Sequence, residues 1–255
     1  MADNLPAVQQ THSSISVSSA QAVILAGGLG TRMRPVTETI PKPMISVAGK
    51  PFLQHQLELL RACGIDRSLL LVAYLGEQIE EYFGNGAKLQ LNISYSFEPT
   101  PLGTGGALRN AGDLLQNAFV LLNGDTYLAI DYSALLSKFA TLKRRALIVA
   151  YQKPSDGASV LPANNVPNNL GVASDGRVEI YRKRDPEGLT HVDAGAIVLS
   201  KEILEMLPHG GRCSLEEEIF PQLIAAGEMY AWVTSQPFYD MGSPAGLAAL
   251  EEKLA

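Results

Sequence analysis

AVILAGGLGTRMRPVTETIPKP, residues 22–43, is the stretch from which the rest of the chain is read. Its first five residues, Ala22-Val23-Ile24-Leu25-Ala26, form an apolar run too short for a helix and closed by glycine, which predicts a buried strand of a parallel sheet. Gly27, Gly28 and Gly30 then remove three side chains within four residues, so the loop can take positive φ and bring backbone N–H groups close to a ligand. Arg32 and Arg34 follow, and Lys42 stands between Pro41 and Pro43, which stiffen its backbone. A strand, a bare loop and nearby cations suggest a polyphosphate cradle. A tight turn with surface cations beside it would read the same way.

Spacing separates the known phosphate loops. A dinucleotide fingerprint needs a third glycine three residues after Gly30, where Met33 stands; a Walker A loop needs Ser or Thr after Gly49-Lys50, where Pro51 stands. Neither fits. GGLGTRMRP, then PKPM, then AGKPFL, resembles in order and content the sugar-1-phosphate nucleotidyltransferases, also called nucleotidyl sugar pyrophosphorylases. The resemblance runs from about residue 21 to 250.

A net charge of −6 without a basic stripe argues against nucleic acid as a partner. No apolar run reaches membrane-span length, and residues 1–20 lack the basic start and apolar core of a secretory signal. Two cysteines, Cys63 and Cys213, make a disulfide framework unexpected and point to a reducing compartment, the cytoplasm. Residues 1–20 read as a flexible tail and 21–255 as one catalytic domain, with a nucleotide-binding part over about 21–130 and a sugar-binding part over about 146–240.

Hydrophobic spacing predicts helices over 52–60, 78–83, about 107–115 and from Ser214, where Ser-Leu-Glu-Glu is a capping-box pattern. Strands are expected at 68–73, 91–97, 118–122, 146–151, 178–181, 194–199, 230–234 and 237–239. Strands alternating with helices imply βαβ units and a parallel sheet. The full expectation is an α/β protein: a Rossmann-like three-layer α/β/α fold with a mostly parallel sheet and an inserted sugar-binding subdomain.

Ligands of such sheets lie at the carboxyl ends of the strands. Two carboxylates fall there, in Asn123-Gly124-Asp125 and in Asp240-Met241-Gly242-Ser243-Pro244. The resemblance implies that Asp125 and Asp240 bind Mg²⁺, a hard cation suited to two carboxylates plus phosphate and water oxygens. It also implies that Arg32 neutralises the pyrophosphate leaving group, that Lys42 neutralises the attacking and α-phosphates, and that Leu25, Ala26, Gly27, Gly28, Gly30 and Thr31 wrap the nucleotide. Arg32, Lys42 and Asp125 are thus the expected catalytic residues, and a nucleoside triphosphate and a sugar 1-phosphate the expected substrates. A homo-oligomer is left open.

The second glycine cluster, with Gly103 and Thr104, would seat the base. Relatives that transfer thymidylyl or uridylyl groups commonly carry Gln five residues before the equivalent of Gly103, where this chain has Glu98. A carboxylate only accepts hydrogen bonds, and guanine offers adjacent N1–H and N2–H donors, which favours GTP. PLGTGGAL, LLNGDTY and SLEEEIFP look most like the heptose-1-phosphate guanylyltransferases. The mannose-1-phosphate guanylyltransferases and N-acetylmuramate-1-phosphate uridylyltransferases come next. Asn123, Gly171, Lys183, Arg184 and Asp193 are the expected sugar-phosphate contacts. The family's Glu-Lys pair is replaced by Lys183-Arg184, and its Asn by Asp193. A reading of another class, a nucleotide-sugar-binding regulatory relative without catalysis, is opposed by the joint presence of Arg32, Lys42, Asp125 and Asp240.

Overall fold

A computed structural model describes residues 20–154, 163, 166–182 and 189–255. Strand β1 (Gln21–Leu25) leads through short 3-10 turns to a two-residue ribbon, β2 (Ser46–Val47) and β3 (Lys50–Pro51), and helix α1 (Phe52–Ala62). The chain continues as β4 (Arg67–Val72), α2 (Gly76–Phe83), β5 (Asn92–Phe97), α3 (Gly103–Asn110), β6 (Ala118–Asn123), β7 (Thr126–Leu128) and α4 (Tyr132–Leu142). Then come β8 (Ala146–Tyr151), β9 (Leu170–Val172), β10 (Val178–Tyr181), β11 (Val192–Ser200), α5 (Phe220–Ala225), β12 (Met229–Thr234), β13 (Phe238–Asp240) and α6 (Pro244–Leu254).

Seven strands form the main sheet in the order β12-β8-β11-β6-β1-β4-β5. Within it β11 runs antiparallel to both neighbours, and the other pairs are parallel. Alternation along each strand sorts the core onto two faces. Ala22, Ile24, Leu70 and Val72 join Leu53 and Leu57 of α1 on one side. Val23, Leu69 and Leu71 join Leu108 of α3 and Leu223 of α5 on the other. Burying each of the valine, leucine and isoleucine side chains contributes about 1.5–3 kcal/mol, so the three-layer order is fixed by apolar patterning. This is the expected Rossmann-like α/β arrangement.

Several boundaries differ from the sequence reading. Helix α3 starts at Gly103, not near Ala107, so the glycine cluster itself is helical. A Cβ on Gly105 would lie 2.9 Å from Cys213 Sγ and one on Gly106 3.0 Å from the Gly211 carbonyl. Close packing against that loop outweighs glycine's poor helix propensity. The helix ends at Asn110, followed by a separate 3-10 turn, Gly112–Leu114. At Ser214 the first turn is a π turn, Leu215–Ile219. Ser214 Oγ accepts from the Glu217 N–H, but the reciprocal partner of the Ser214 N–H is Glu218, one residue beyond the expected Glu217. The wider turn has shifted the box.

Helices α4 and α6 escaped the sequence reading. Ala20, the last residue of the expected tail, is buried in the core; the other nineteen lie outside the described residues, as do Lys183 and Arg184. Strands β8, β11 and β12 extend the main sheet, and between β8 and β11 the β9–β10 hairpin leaves it.

Candidate active site

The register sets the site. Leu25 pairs with Leu71 and with Asn123, and Val72 pairs with Phe97, so β1, β4, β5 and β6 end on one edge. Antiparallel β11 starts where these end. A Cβ on Gly195 would stand 3.0 Å from both Asn123 Nδ2 and Thr126 Oγ1, and the positive φ of 77° there needs glycine in any case. Along this edge lies a cleft of about 920 Å³, lined by Gly27, Gly28, Lys42, Glu98, Asp125 and Arg212 among others. Leu25, Gly103, Thr104 and Asn123 line it too.

At its floor, Lys42 Nζ donates to Asp125 Oδ2 in an ion pair. The lysine side chain is 9% exposed and the aspartate 29%. Lys42 enters from the 3-10 turn Lys42–Met44, with Pro41 before it and Pro43 after it, and is itself buried. Asp125 sits in a crowded turn, and Gly124 is where no Cβ fits: one would fall 2.3 Å from the Leu25 carbonyl, which accepts from the Gly124 N–H at 3.1 Å. The turn has a second support that the sequence did not reveal. Gln56, buried on the apolar face of α1, donates from Nε2 to the Asn123 carbonyl at 2.9 Å and to the Thr126 carbonyl at 3.0 Å. A polar residue within the Leu53-Leu57-Leu60 stripe was the available signal.

Pairing brings Asp240 close to Asp125, although Asp240 does not line the cleft. Strands β13 and β7 are antiparallel with Asp240 opposite Thr126, and the Met241 N–H donates to the Asp125 carbonyl at 3.0 Å. Residues far apart in the chain thus become neighbours. Asp240 Oδ1 accepts from the Gly242 N–H at 2.6 Å. Among the described residues no group of three His, Cys, Asp or Glu side chains converges on a metal position. The backbones of Asp125 and Asp240 are neighbours, and two carboxylates brought near each other suit a cation that takes its other ligands from phosphate and water, as Mg²⁺ does.

The glycine loop is held from outside. Gly30 has a φ of 59°, and its carbonyl accepts from Thr37 Oγ1 at 2.8 Å. Arg32 is exposed and lies over Gly242, where a Cβ would be 2.8 Å from its Nη2; it does not line the cleft. Gly30 and Thr31 also stand outside the lining. Ala26 is buried, and its N–H is spent on the Leu71 carbonyl at 2.8 Å, so that group is closed to a ligand.

Glu98 follows β5 and forms the far wall. Its Oε2 accepts from the Leu102 N–H at 2.9 Å, and a Cβ on Gly27 would meet Oε1 at 2.9 Å. Burial pushes the Glu98 carboxyl above its ordinary range, and the Leu102 N–H partly offsets this. The Thr104 hydroxyl donates to Glu216 at 2.8 Å and accepts from the Leu215 N–H at 2.9 Å, so it ties α3 to the π turn.

Asp193 does not face the main cleft. Its Oδ2 accepts from the Tyr181 hydroxyl at 3.0 Å and its Oδ1 from the Gly195 N–H at 2.9 Å. Burial, followed by the charges of Asp193 and Glu216, pushes the Tyr181 phenol up. Asp193 lines a narrow adjoining recess with Asn123, Gly195 and Glu216. Gly171 lies in β9, in neither cavity.

Residues 21–160 match the family described as Nucleotidyl transferase. The chain belongs to this nucleotidyl transferase family. It is 34% identical over 227 residues to the D-glycero-alpha-D-manno-heptose 1-phosphate guanylyltransferase of Campylobacter jejuni, covering 88% of this chain and 95% of that one. It is 34% identical over 233 residues to the mannose-1-phosphate guanylyltransferase of Mycobacterium tuberculosis, but spans only 63% of that protein's length. Among solved structures, HddC from Yersinia pseudotuberculosis complexed with GMP-PN has a TM-score of 0.77 and 31% identity, covering 92% of this chain and 100% of that one.

Proposed function

We propose that this nucleotidyl transferase moves a guanylyl group from GTP to a sugar 1-phosphate, a heptose 1-phosphate in first place. The observation that carries the proposal is the Lys42–Asp125 pair at the floor of a cleft whose walls are the glycine loop and Glu98. In this scheme an oxygen of the sugar phosphate attacks the α-phosphorus of GTP in line. The new O–Pα bond forms as the Pα–O bond to pyrophosphate breaks, and the products are a GDP-sugar and pyrophosphate. The protein's part is positioning and charge neutralisation.

Lys42, whose surroundings exclude most water, meets the attacking and α-phosphates as a point charge. Arg32, over Gly242 beside Asp240, receives the pyrophosphate with a fork suited to spread charge. Asp125 and Asp240 would hold Mg²⁺, which when bound adds neutralisation of the triphosphate oxygens. The backbone at Gly27 and Gly28 admits the nucleotide where a side chain would crowd it, and Glu98 accepts from the guanine N1–H and N2–H.

The heptose reading is supported by length as well as identity, since the chain spans 94% and 95% of two relatives named for that reaction. Mannose 1-phosphate is the second reading, favoured by the 34% identity to the mycobacterial relative. The test is Mg²⁺-dependent pyrophosphate release across five nucleoside triphosphates, each against a panel of hexose and heptose 1-phosphates. Release with GTP and a heptose 1-phosphate is expected. Turnover with UTP or dTTP in place of GTP would overturn the base assignment, and no release with any pair would overturn the activity.

A further inference from the structure

The charged side chains lining the cleft include one the reading above does not use. Arg212 follows Gly211 in the loop before the π turn, and its guanidinium makes no hydrogen bond or ion pair among the described residues. Its backbone, by contrast, is tightly placed. The neighbouring Cys213 N–H donates to the Leu102 carbonyl at 2.9 Å, and the Cys213 carbonyl accepts from the Gly105 N–H at 2.9 Å and the Gly106 N–H at 3.3 Å. Gly103 permits this approach: its φ is 73°, and a Cβ there would fall 2.6 Å from the Cys213 carbonyl and 3.4 Å from Arg212 Cγ. The stem of Arg212 therefore lies over the start of α3.

Leu102 joins this loop to Glu98. Its N–H goes to the Glu98 carboxylate and its carbonyl to the Cys213 N–H, so one residue spaces an acceptor from a cation across the same wall. The other lysine or arginine in the lining, Lys42, is engaged by Asp125. Guanine carries two unlike edges. N1–H and N2–H donate on one side, while O6 and N7 accept on the other, and an arginine fork fits that second pair. Adenine puts an amino donor where guanine has O6, so a guanidinium there rejects it.

We propose that Arg212 is a specificity-determining residue that reads the O6 and N7 edge of guanine while Glu98 reads the adjoining N1–H and N2–H edge. The inference rests on the guanylyl reading given above. It makes nucleotide choice a two-sided readout, in which loss of either side lowers discrimination without touching the phosphate chemistry at Lys42 and Asp125.

The test compares GTP, 7-deaza-GTP, ITP and ATP in pyrophosphate release by the wild type, Arg212→Ala and Arg212→Lys. The wild type should lose about 10-fold in kcat/KM on 7-deaza-GTP, which lacks the N7 acceptor. In Arg212→Ala, which loses the O6 as well as the N7 contact, GTP should fall to the wild-type 7-deaza-GTP level or below it with no further penalty for the analogue, and ATP should gain on GTP. The ITP penalty, which reports N2–H and hence Glu98, should persist. Arg212→Lys, which keeps the charge but not the fork, should behave like Ala in the 7-deaza ratio. An unchanged 7-deaza penalty in Arg212→Ala, an equal loss with all four nucleotides, or full rescue by Lys would each overturn the proposal and leave the guanylyl reading standing. Failure of the wild type to use GTP, with turnover of UTP or dTTP, would overturn both.

Discussion

Gly124→Ala tests how the fold positions Asp125. The added Cβ would sit 2.3 Å from the Leu25 carbonyl oxygen, where side-chain contacts stay beyond 3.0 Å. The ends of β1 and β6 must part by about 0.7 Å, the difference between those two distances, and the neighbour is backbone that cannot rotate away. Overpacking of this kind costs about 1–3 kcal/mol, which in a domain of this size lowers Tm by about 2–4 °C per kcal/mol. Asp125 follows directly and moves with the turn, away from Lys42 and the reacting phosphates. A misplacement near 1 Å costs about 100-fold in rate, so kcat for pyrophosphate release should fall by tens of fold to about 100-fold. The control is Gly28→Ala: a Cβ there meets nothing within 4 Å, so stability should be unchanged and any rise in KM for the nucleotide would report ligand approach. Thermal unfolding by circular dichroism and saturating-substrate kinetics read the two effects separately. A Gly124→Ala protein with wild-type kcat would refute the positioning argument, whatever its Tm.

Other outcomes follow from the same geometry. Asp125→Asn should abolish turnover and destabilise the fold by about 1–3 kcal/mol, the cost of a buried donor left short of its acceptor, and more than Lys42→Met does, because it strands the more buried partner; equal Tm changes would contradict that ordering. Gln56→Leu removes both donors that clamp the Asn123–Thr126 turn and should lower kcat more than it raises KM, with a stability loss of about 1–3 kcal/mol seen in urea titration. A variant with unaltered kcat would make Gln56 packing only. The raised Glu98 pKa sets an acid limb: as pH falls through it, the carboxylate gains a proton and loses acceptor capacity. kcat/KM for GTP should therefore fall at a higher pH than an ordinary carboxylate dictates, and Glu98→Gln should flatten that limb. The sign for stability is opposite, since the fold disfavours the charged form and ionised Glu98 costs stability above that pKa. Glu98→Gln should thus be neutral or slightly stabilising at pH 8, and should shift preference from GTP toward UTP. An unmoved GTP to UTP ratio would remove Glu98 from base recognition.

Much of this was legible in the chain itself. The run Ala22–Val23–Ile24–Leu25 had to be a buried strand because nothing in it tolerates water, and the bare glycines after it had to be a loop. Strand ends at Leu122, one residue short of the observed Asn123, and at Phe97 followed from the same patterning, and with them the placement of Asp125 and Glu98 on one edge of a sheet. What local pattern could not reveal was pairing at a distance. The antiparallel entry of β11, the β7–β13 ribbon that sets Asp240 beside Thr126, and the reach of Gln56 to two carbonyls depend on partners far along the chain. The glycine cluster at 103–106 misled in the same way: in sequence it reads as a loop, and only the backbone of Cys213 pressed against it makes a helix of glycines the tighter fit. Hydrophobic period and backbone freedom are properties of neighbours in sequence. Which carbonyl lies 2.3 Å from a missing Cβ is a property of neighbours in space, and that decides where the charges of this cleft stand.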